Sequence, residues 1–258
     1  MKIAVFSPMS RSGLTASTLL MGYAIAFSQG RTVRLCYTGD NQAIKHYSGT
    51  DAIEQDATRT ISQVSKLLEA HAIKPADLGD YCTSLGPNID IMYSWDPSLT
   101  EEEVTSLFQF TFAKTETDFT FCDLAYDLDD PSSKAVLEEC DAMVAVSEPS
   151  MTSLTMIKEW KESHSWPKDK PCVLLIAKYN EEIGSVKNLA KIADFKLRDT
   201  CKIHFNPYVV ESCNSGTMDT LVQYVLRKDP RVVELNNDLK ECIQFFLSLS
   251  KSKIKWEG

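Results

Sequence analysis

Residues 2–30 read KIAVFSPMSRSGLTASTLLMGYAIAFSQG, and the change of pattern inside that stretch decides the fold class. Ile3, Ala4, Val5 and Phe6 form a short uninterrupted apolar run, the form a strand takes when a parallel sheet buries both of its faces. A polar loop from Ser7 to Ser12 leads to Gly13. Beyond it Leu19, Leu20, Tyr23, Ala24 and Phe27 recur at helical spacing up to a stop at Gly30. The following segment, TVRLCYTGD (32–40), reads as a second strand. Strand, loop, helix and strand in that order make a βαβ unit. Its crossover is right-handed almost without exception, and its ligand site lies at the carboxyl ends of the strands.

Outward from this unit the alternation continues. Residues 54–73 carry Ile61, Val64, Leu67, Leu68 and His71 at helical intervals. NIDIMYS (88–94) reads as a strand, and a helix follows whose start is marked by Ser98 or Thr100 ahead of acidic residues. DFTFCDL (118–124), DAMVAVSEP (141–149), PCVLLIAKYN (171–180) and CKIHFNPY (201–208) read as strands. SSKAVLEEC (132–140), SLTMIKEWKES (153–163) and VKNLAKIADF (186–195) read as the helices between them. Two helical stretches occupy 215–250, the second merging into a C-terminal helix and basic tail at 236–258. With no linker, repeat or low-complexity tract, the expectation is one α/β domain over 1–258: a doubly wound, mostly parallel sheet with helices on both faces.

Composition narrows the function classes. The chain has 258 residues, 43% of them hydrophobic and 24% charged, enough for a sizeable core and typical of an ordinary globular protein. Its formal charge of −9 argues against long-range attraction to nucleic acid or anionic lipid; the region of Lys187, Lys191, Lys196, Arg198 and Lys202 is the candidate exception. The 8 cysteines stand singly with no C-x-x-C, which suits a reducing cytoplasm. No secretory signal opens the chain and no long apolar run follows, so the expected location is cytoplasmic, with recruitment to a membrane by a partner as a variant. The histidines at 46, 71, 164 and 204 share no metal-ligand spacing, and no G-x-S-x-G elbow accompanies the serines. The acidic runs Glu101–Glu103 and Asp127–Asp130 read as solvated first-turn and loop charges.

The loop after the first strand is the candidate site, because free backbone N–H groups and the helix dipole converge there on an anion. Set against the phosphate-binding pattern G-x-x-x-x-G-K-[ST], its residues are Pro8, Met9, Ser10, Arg11, Ser12, Gly13, Leu14 and Thr15. VFSPMSRSGLTASTLLMGYAIA resembles the opening of the ParA/MinD-type P-loop ATPases, whose loop reads K-G-G-x-G-K-[ST]-[ST]. Gly13 and Thr15 take the last glycine and the Mg²⁺-binding hydroxyl positions, whereas Leu14 and Met9 replace the phosphate lysine and the second, dimer-crossing lysine. TDFTFCDL resembles the segment ending in the family's Mg²⁺-associated aspartate, at Asp123. Asp40 lies near the aspartate that positions the attacking water. PCVLLIAKYN resembles the strand carrying the adenine-reading Asn, with Ala177 in its place and Asn180 as a substitute if the loop shifts. Pro207 sits at the family's proline-containing turn beside the base. The pilus-associated TadZ branch is the nearest in spirit.

The resemblance implies ATP or ADP with Mg²⁺ as ligand. Ser10, Arg11, Ser12, Gly13, Leu14, Thr15, Ala16, Asn180 and Pro207 would hold the nucleotide, Thr15 and Asp123 the Mg²⁺, and Asp40 and Asp123 the catalytic roles. It also implies a homodimer serving a larger assembly such as a pilus, secretion or partition apparatus. With both lysines gone, the leading expectation is a degenerate site in a cytoplasmic scaffold or positioning factor, not an efficient ATPase. The alternative is a slow Mg-ATPase switch in which Arg11 stands in for the lysine. A bare tight turn and helix start also accounts for Gly13 and Thr15, and simple turn or capping roles for Asp40 and Asp123. The last helix carries Leu239, Ile243 and Phe246 on one stripe ahead of Lys251, Lys253 and Lys255. That pattern fits either a helix docked on the sheet or a peripheral membrane anchor.

Overall fold

The structure is a computed structural model that describes residues 1–50, 61–92, 98–113, 116–124, 128, 130–163 and 170–254. Strand β1 (Lys2–Phe6) is buried from Ile3 onward, as its unbroken apolar run requires. Helix α1 (Leu14–Gln29) runs between Gly13 and Gly30, both in the left-handed region that glycine enters without a Cβ penalty. Strand β2 (Val33–Tyr37) is buried throughout, and the short helix α2 (Gln42–Tyr47) follows it, capped by the Asn41 side chain, which accepts the Ile44 N–H. Helix α3 spans Ile61–Glu69; its predicted extension to residue 73 fails because His71 takes φ 53°, ending the helix in a left-handed turn.

The next two strands form a hairpin, β3 (Thr83–Gly86) and β4 (Ile89–Ile91), of which β3 has no counterpart in the sequence reading. Helix α4 (Glu101–Ala113) starts at a reciprocal capping box. The Thr100 hydroxyl accepts the Glu103 N–H at 3.3 Å, and the Glu103 carboxylate accepts the Thr100 N–H at 2.6 Å, so Thr100 rather than Ser98 marks the start. Strand β5 (Phe119–Asp123) is followed by α5 (Pro131–Glu139), whose first N–H groups are taken by Asp130. Then come β6 (Ala142–Ser147), α6 (Met151–Ser163), β7 (Cys172–Tyr179), α7 (Val186–Ile192) and β8 (Thr200–His204). The chain closes with α8 (Pro207–Ser215), α9 (Met218–Leu226) and α10 (Val233–Ile254); the last two are the pair expected over 215–250, and α8 is a helix the sequence reading did not contain.

Among the described residues eight strands form one sheet in the order β3-β4-β2-β5-β1-β6-β7-β8, with every pair parallel except β3–β4 at one edge. Alternate residues face opposite ways. Ile3 and Val5 point into a core shared with α1, α9 and α10, while Ala4 and Phe6 point into a second core with Phe108 of α4, Val136 of α5 and Leu154 of α6. Helices therefore cover both faces, as the sequence implied. Leu239, Ile243 and Phe246 of α10 are buried in the first core, so the stripe considered for membrane contact is occupied by the sheet side of the protein. The basic tail side chains at 251–258 lie outside the described residues, as do His164, Asp127 and Asp129. Among the described residues no helix is long and apolar enough to cross a membrane. All eight cysteines are free thiols.

Candidate functional site

The site grows from an asymmetry in the winding. Adjacent strands β1 and β5 send their following helices to opposite faces, α1 into one core and α5 into the other, and a crevice opens at their carboxyl ends. A cavity of about 580 Å³ occupies that crevice, walled by the loop after β1, the ends of β2, β5, β7 and β8, and the first turns of α2 and α8. This volume lies within the range of small-molecule sites.

The loop reaches α1 through two left-handed residues, Arg11 at φ 58° and Gly13 at φ 91°. Gly13 is required on two counts. Its conformation disfavours a side chain, and an added Cβ would stand 3.1 Å from the Ala177 Cβ of β7. Gly13 offers no side-chain cap to α1, the first turn holds no acidic residue, and Ser12, Gly13, Leu14, Thr15 and Ala16 all line the cavity, which so receives the positive end of the helix dipole. The Ser12 hydroxyl is buried and has no hydrogen-bond partner among the described residues. Leu14, where the motif has lysine, is buried and packs into the first core.

Opposite the loop, Asp123 ends β5 with 1% exposure, and its Oδ2 has no hydrogen-bond partner among the described residues. Burial pushes its carboxyl up to about 7, while the Thr15 hydroxyl and the Asn41 side chain beside it pull the other way. Asn41 Nδ2 lies 3.5 Å from the Thr15 hydroxyl, which joins the ends of β2 and β5 to the first turn of α1. An orphaned buried carboxylate oxygen next to a hydroxyl is costly unless something comes to satisfy it. Hard oxygen donors of this kind fit a magnesium ion. Among the described residues no group of three or more His, Cys, Asp or Glu stands ready to hold a metal by itself, so substrate oxygens would have to complete such a site.

The rest of the cavity divides into an apolar wall and a helix–helix clasp. Ile203, Phe205, Val209 and Val210 present carbon surface, with Phe205 and Val210 well exposed at the rim. His204 is fixed by Asp238, which accepts its backbone N–H and contacts its Nδ1, each at 2.8 Å. Helix α2 is clasped to α8 across the cavity by two glycines. A Cβ on Gly216 would lie 2.8 Å from the Gly49 Cα, and one on Gly49 would lie 2.5 Å from the Gly216 carbonyl oxygen.

Of the residues expected at the site, Arg11, Ser12, Gly13, Leu14, Thr15 and Ala16 line the cavity together with Asp40 and Asp123. Asp40 is exposed and accepts a hydrogen bond from Gln42, away from the Thr15–Asp123 pair's burial. Ser10, Asn180 and Pro207 are not in the lining. Ser10 is exposed on the outer side of the loop. Asn180 turns its carbonyl back to the Glu182 N–H at 2.9 Å, and Pro207 opens α8 as its first residue, with Asn206 as the cap. The lining residues that sequence reasoning missed are chiefly Thr38, Asn41, Asn206 and Lys178. Lys178 carried a signal, since it is the charged residue inside the apolar run of β7.

Comparison with solved structures places the fold. The chain superposes on a ParA family ATPase from Chlorobium tepidum TLS with TM-score 0.69 and 15% identity, over 92% of this chain and 95% of that one. Against MinD in the MinC:MinD cell division protein complex of Aquifex aeolicus the TM-score is 0.70 at 14% identity, covering 96% and 95%. Against the septum site-determining protein MinD of Pyrococcus horikoshii OT3, complexed with Mg-ADP, it is 0.63 at 16% identity, covering 100% and 97%. At these identities the likeness establishes the α/β architecture of the P-loop type. No protein-family model matches the sequence. No curated protein matches it either.

Proposed function

We propose that this chain is a ParA/MinD-like protein with a degenerate loop, which binds ATP or ADP with Mg²⁺ and serves as a cytoplasmic positioning or scaffold factor for a larger assembly. The observation that carries the reading is the Thr15–Asp123 pair, with its buried unsatisfied carboxylate oxygen, facing the uncapped start of α1. The α1 amides and the Ser12 hydroxyl would take the phosphates, and the wall of Ile203, Phe205 and Val209 suits a planar base. Thr15 and Asp123 would hold Mg²⁺, which when bound neutralises phosphate charge. The MinD of Pyrococcus horikoshii carries Mg-ADP in the corresponding architecture.

Turnover is the weak part of such a site. Leu14 removes the lysine that would stabilise charge developing on the transferred phosphoryl group, where a fixed cation is worth more than in the ground state. The chain is thus a nucleotide sensor before it is an ATPase. Its dimer would be held by surface contacts because Met9 cannot bridge to a partner's phosphates. The TadZ-type pilus apparatus, a secretion system or a partition apparatus are the assemblies this role fits, and one structural neighbour is the MinC:MinD cell division protein complex of Aquifex aeolicus.

Calorimetric titration with ATP and ADP, with and without Mg²⁺, tests the reading, with Thr15→Ala as control. Mg²⁺-dependent heat that disappears in the variant is expected. Its absence in the wild-type protein would overturn nucleotide binding.

A further inference from the structure

We propose that Lys178, at the end of β7, supplies the phosphate-binding cation that residue 14 does not, so that the missing loop lysine is replaced in space from a different strand. This rests on the nucleotide reading above and names the side chain of that site that meets the phosphates.

Three observations converge on Lys178. The β7–β8 ladder runs Ile176 to Lys202 and then Tyr179 to His204, so β7 carries one more residue than its partner at this point. Lys178 falls in that bulge with φ 53°, a conformation lysine rarely adopts. The bulge breaks the alternation of faces, with Ile176 and Tyr179 both in the second core and Ala177 in the first, and it re-aims the intervening side chain.

That side chain goes to the loop. Its Cε would lie 3.8 Å from a Cβ at Gly13, ordinary van der Waals contact, so the aliphatic stem runs beside Gly13, and its ammonium donates to the Arg11 carbonyl. A carbonyl satisfies one donor but does not neutralise the charge, and an ammonium has three donors. Lys178 forms no ion pair among the described residues, so its charge stands open beside the loop amides.

Arg11, the other Lys or Arg in the described lining, is exposed and turns its backbone oxygen, not its guanidinium, to this contact. The Ser12 hydroxyl of the same loop, buried and without a partner among the described residues, is a second donor awaiting an acceptor. Cation, free hydroxyl and uncapped helix start together make a phosphate seat that the loop sequence alone lacks.

The test uses the full chain, titrated with Mg-ATP and with inorganic pyrophosphate. Lys178→Gln retains an N–H donor for the Arg11 carbonyl but removes the charge, and exposure of the side chain lets the variant fold, checked by its thermal midpoint. Its affinity for both ligands should fall about tenfold or more, the usual worth of a charge-assisted contact. Lys178→Arg, which keeps a cation on the exposed end of β7, should retain most of the affinity. Wild-type affinity in Lys178→Gln overturns the proposal, and so does a loss in Lys178→Arg as large as in Lys178→Gln, which would show that the charge is not what binds. No binding by the wild-type protein would overturn the nucleotide reading itself, a result distinct from binding that ignores Lys178.

Discussion

Asp123 shows how a single residue is held at a cost. Burial keeps its carboxyl protonated up to about 7, whereas in the unfolded chain it ionises near 3.8. Between those two values the unfolded state binds fewer protons than the folded one, so stability falls as pH rises from about 4 to about 7 and stays lowered above. The full penalty is about 4 kcal/mol by linkage. Asp123→Asn should therefore stabilise the ligand-free protein by up to about this amount at pH 8 and leave it almost unchanged at pH 4, as read from denaturant midpoints. The same variant should lose the Mg²⁺ dependence of nucleotide binding. A residue whose removal stabilises the fold but removes a binding property is a functional residue; equal stability of the two proteins at pH 8 would show that the carboxyl is not desolvated as described.

At the scale of elements, two fastenings shape the site without touching a ligand. Arg34 of β2 is buried and makes a two-pronged ion pair with Asp90 of β4 at 2.9 Å in both prongs, directly across the parallel ladder. Desolvation alone would lower the guanidinium's affinity for its proton, but the bonds to Asp90 outweigh it and leave the group raised. Asp90→Ala would strand that charge and should cost about 3–5 kcal/mol in denaturant unfolding, far more than an exposed pair such as Arg31–Asp118.

The α2–α8 clasp is the second fastening. Gly216→Ala meets both a left-handed backbone and backbone atoms within 3 Å, and should destabilise by about 2 kcal/mol or more while loosening the cavity. Gly30→Ala has a similar φ and open space around it, so its cost should stay near about 1 kcal/mol. Equal losses in the two variants would mean that the helices do not touch as described.

At the scale of the whole molecule, the question is whether assembly is gated by ligand. Each chain has a mass of 28.9 kDa. The proposed dimer lacks a lysine at residue 9 to clasp a partner's phosphates, so light scattering should show the dimer mass with and without Mg-ATP. A monomer that dimerises only on adding nucleotide would point instead to a clasp built from other residues, Arg11 first among them.

The sequence by itself determined the doubly wound sheet, because strands buried on both faces must be apolar without interruption and helices covering them must repeat at 3.6 residues. Both periods are local and survive in one chain, as in Ile3–Phe6 and in α3. It also placed the loop and the Gly13–Thr15–Asp123 group at the strand ends, since chain order at a βαβ unit dictates which loops converge.

Only tertiary structure decided the rest. The edge strand β3 is short and half-buried, with too little apolar pattern to announce itself. Asn180 and Pro207 stand outside the cavity lining, Asn180 in a local Asx turn and Pro207 as the first residue of α8, arrangements that the residue types permit but do not compel. Lys178 meets the loop because one extra residue in β7, visible in its register against β8, rotates a side chain that strict alternation would have sent elsewhere. Register is a property of paired strands, and no single strand's sequence contains it.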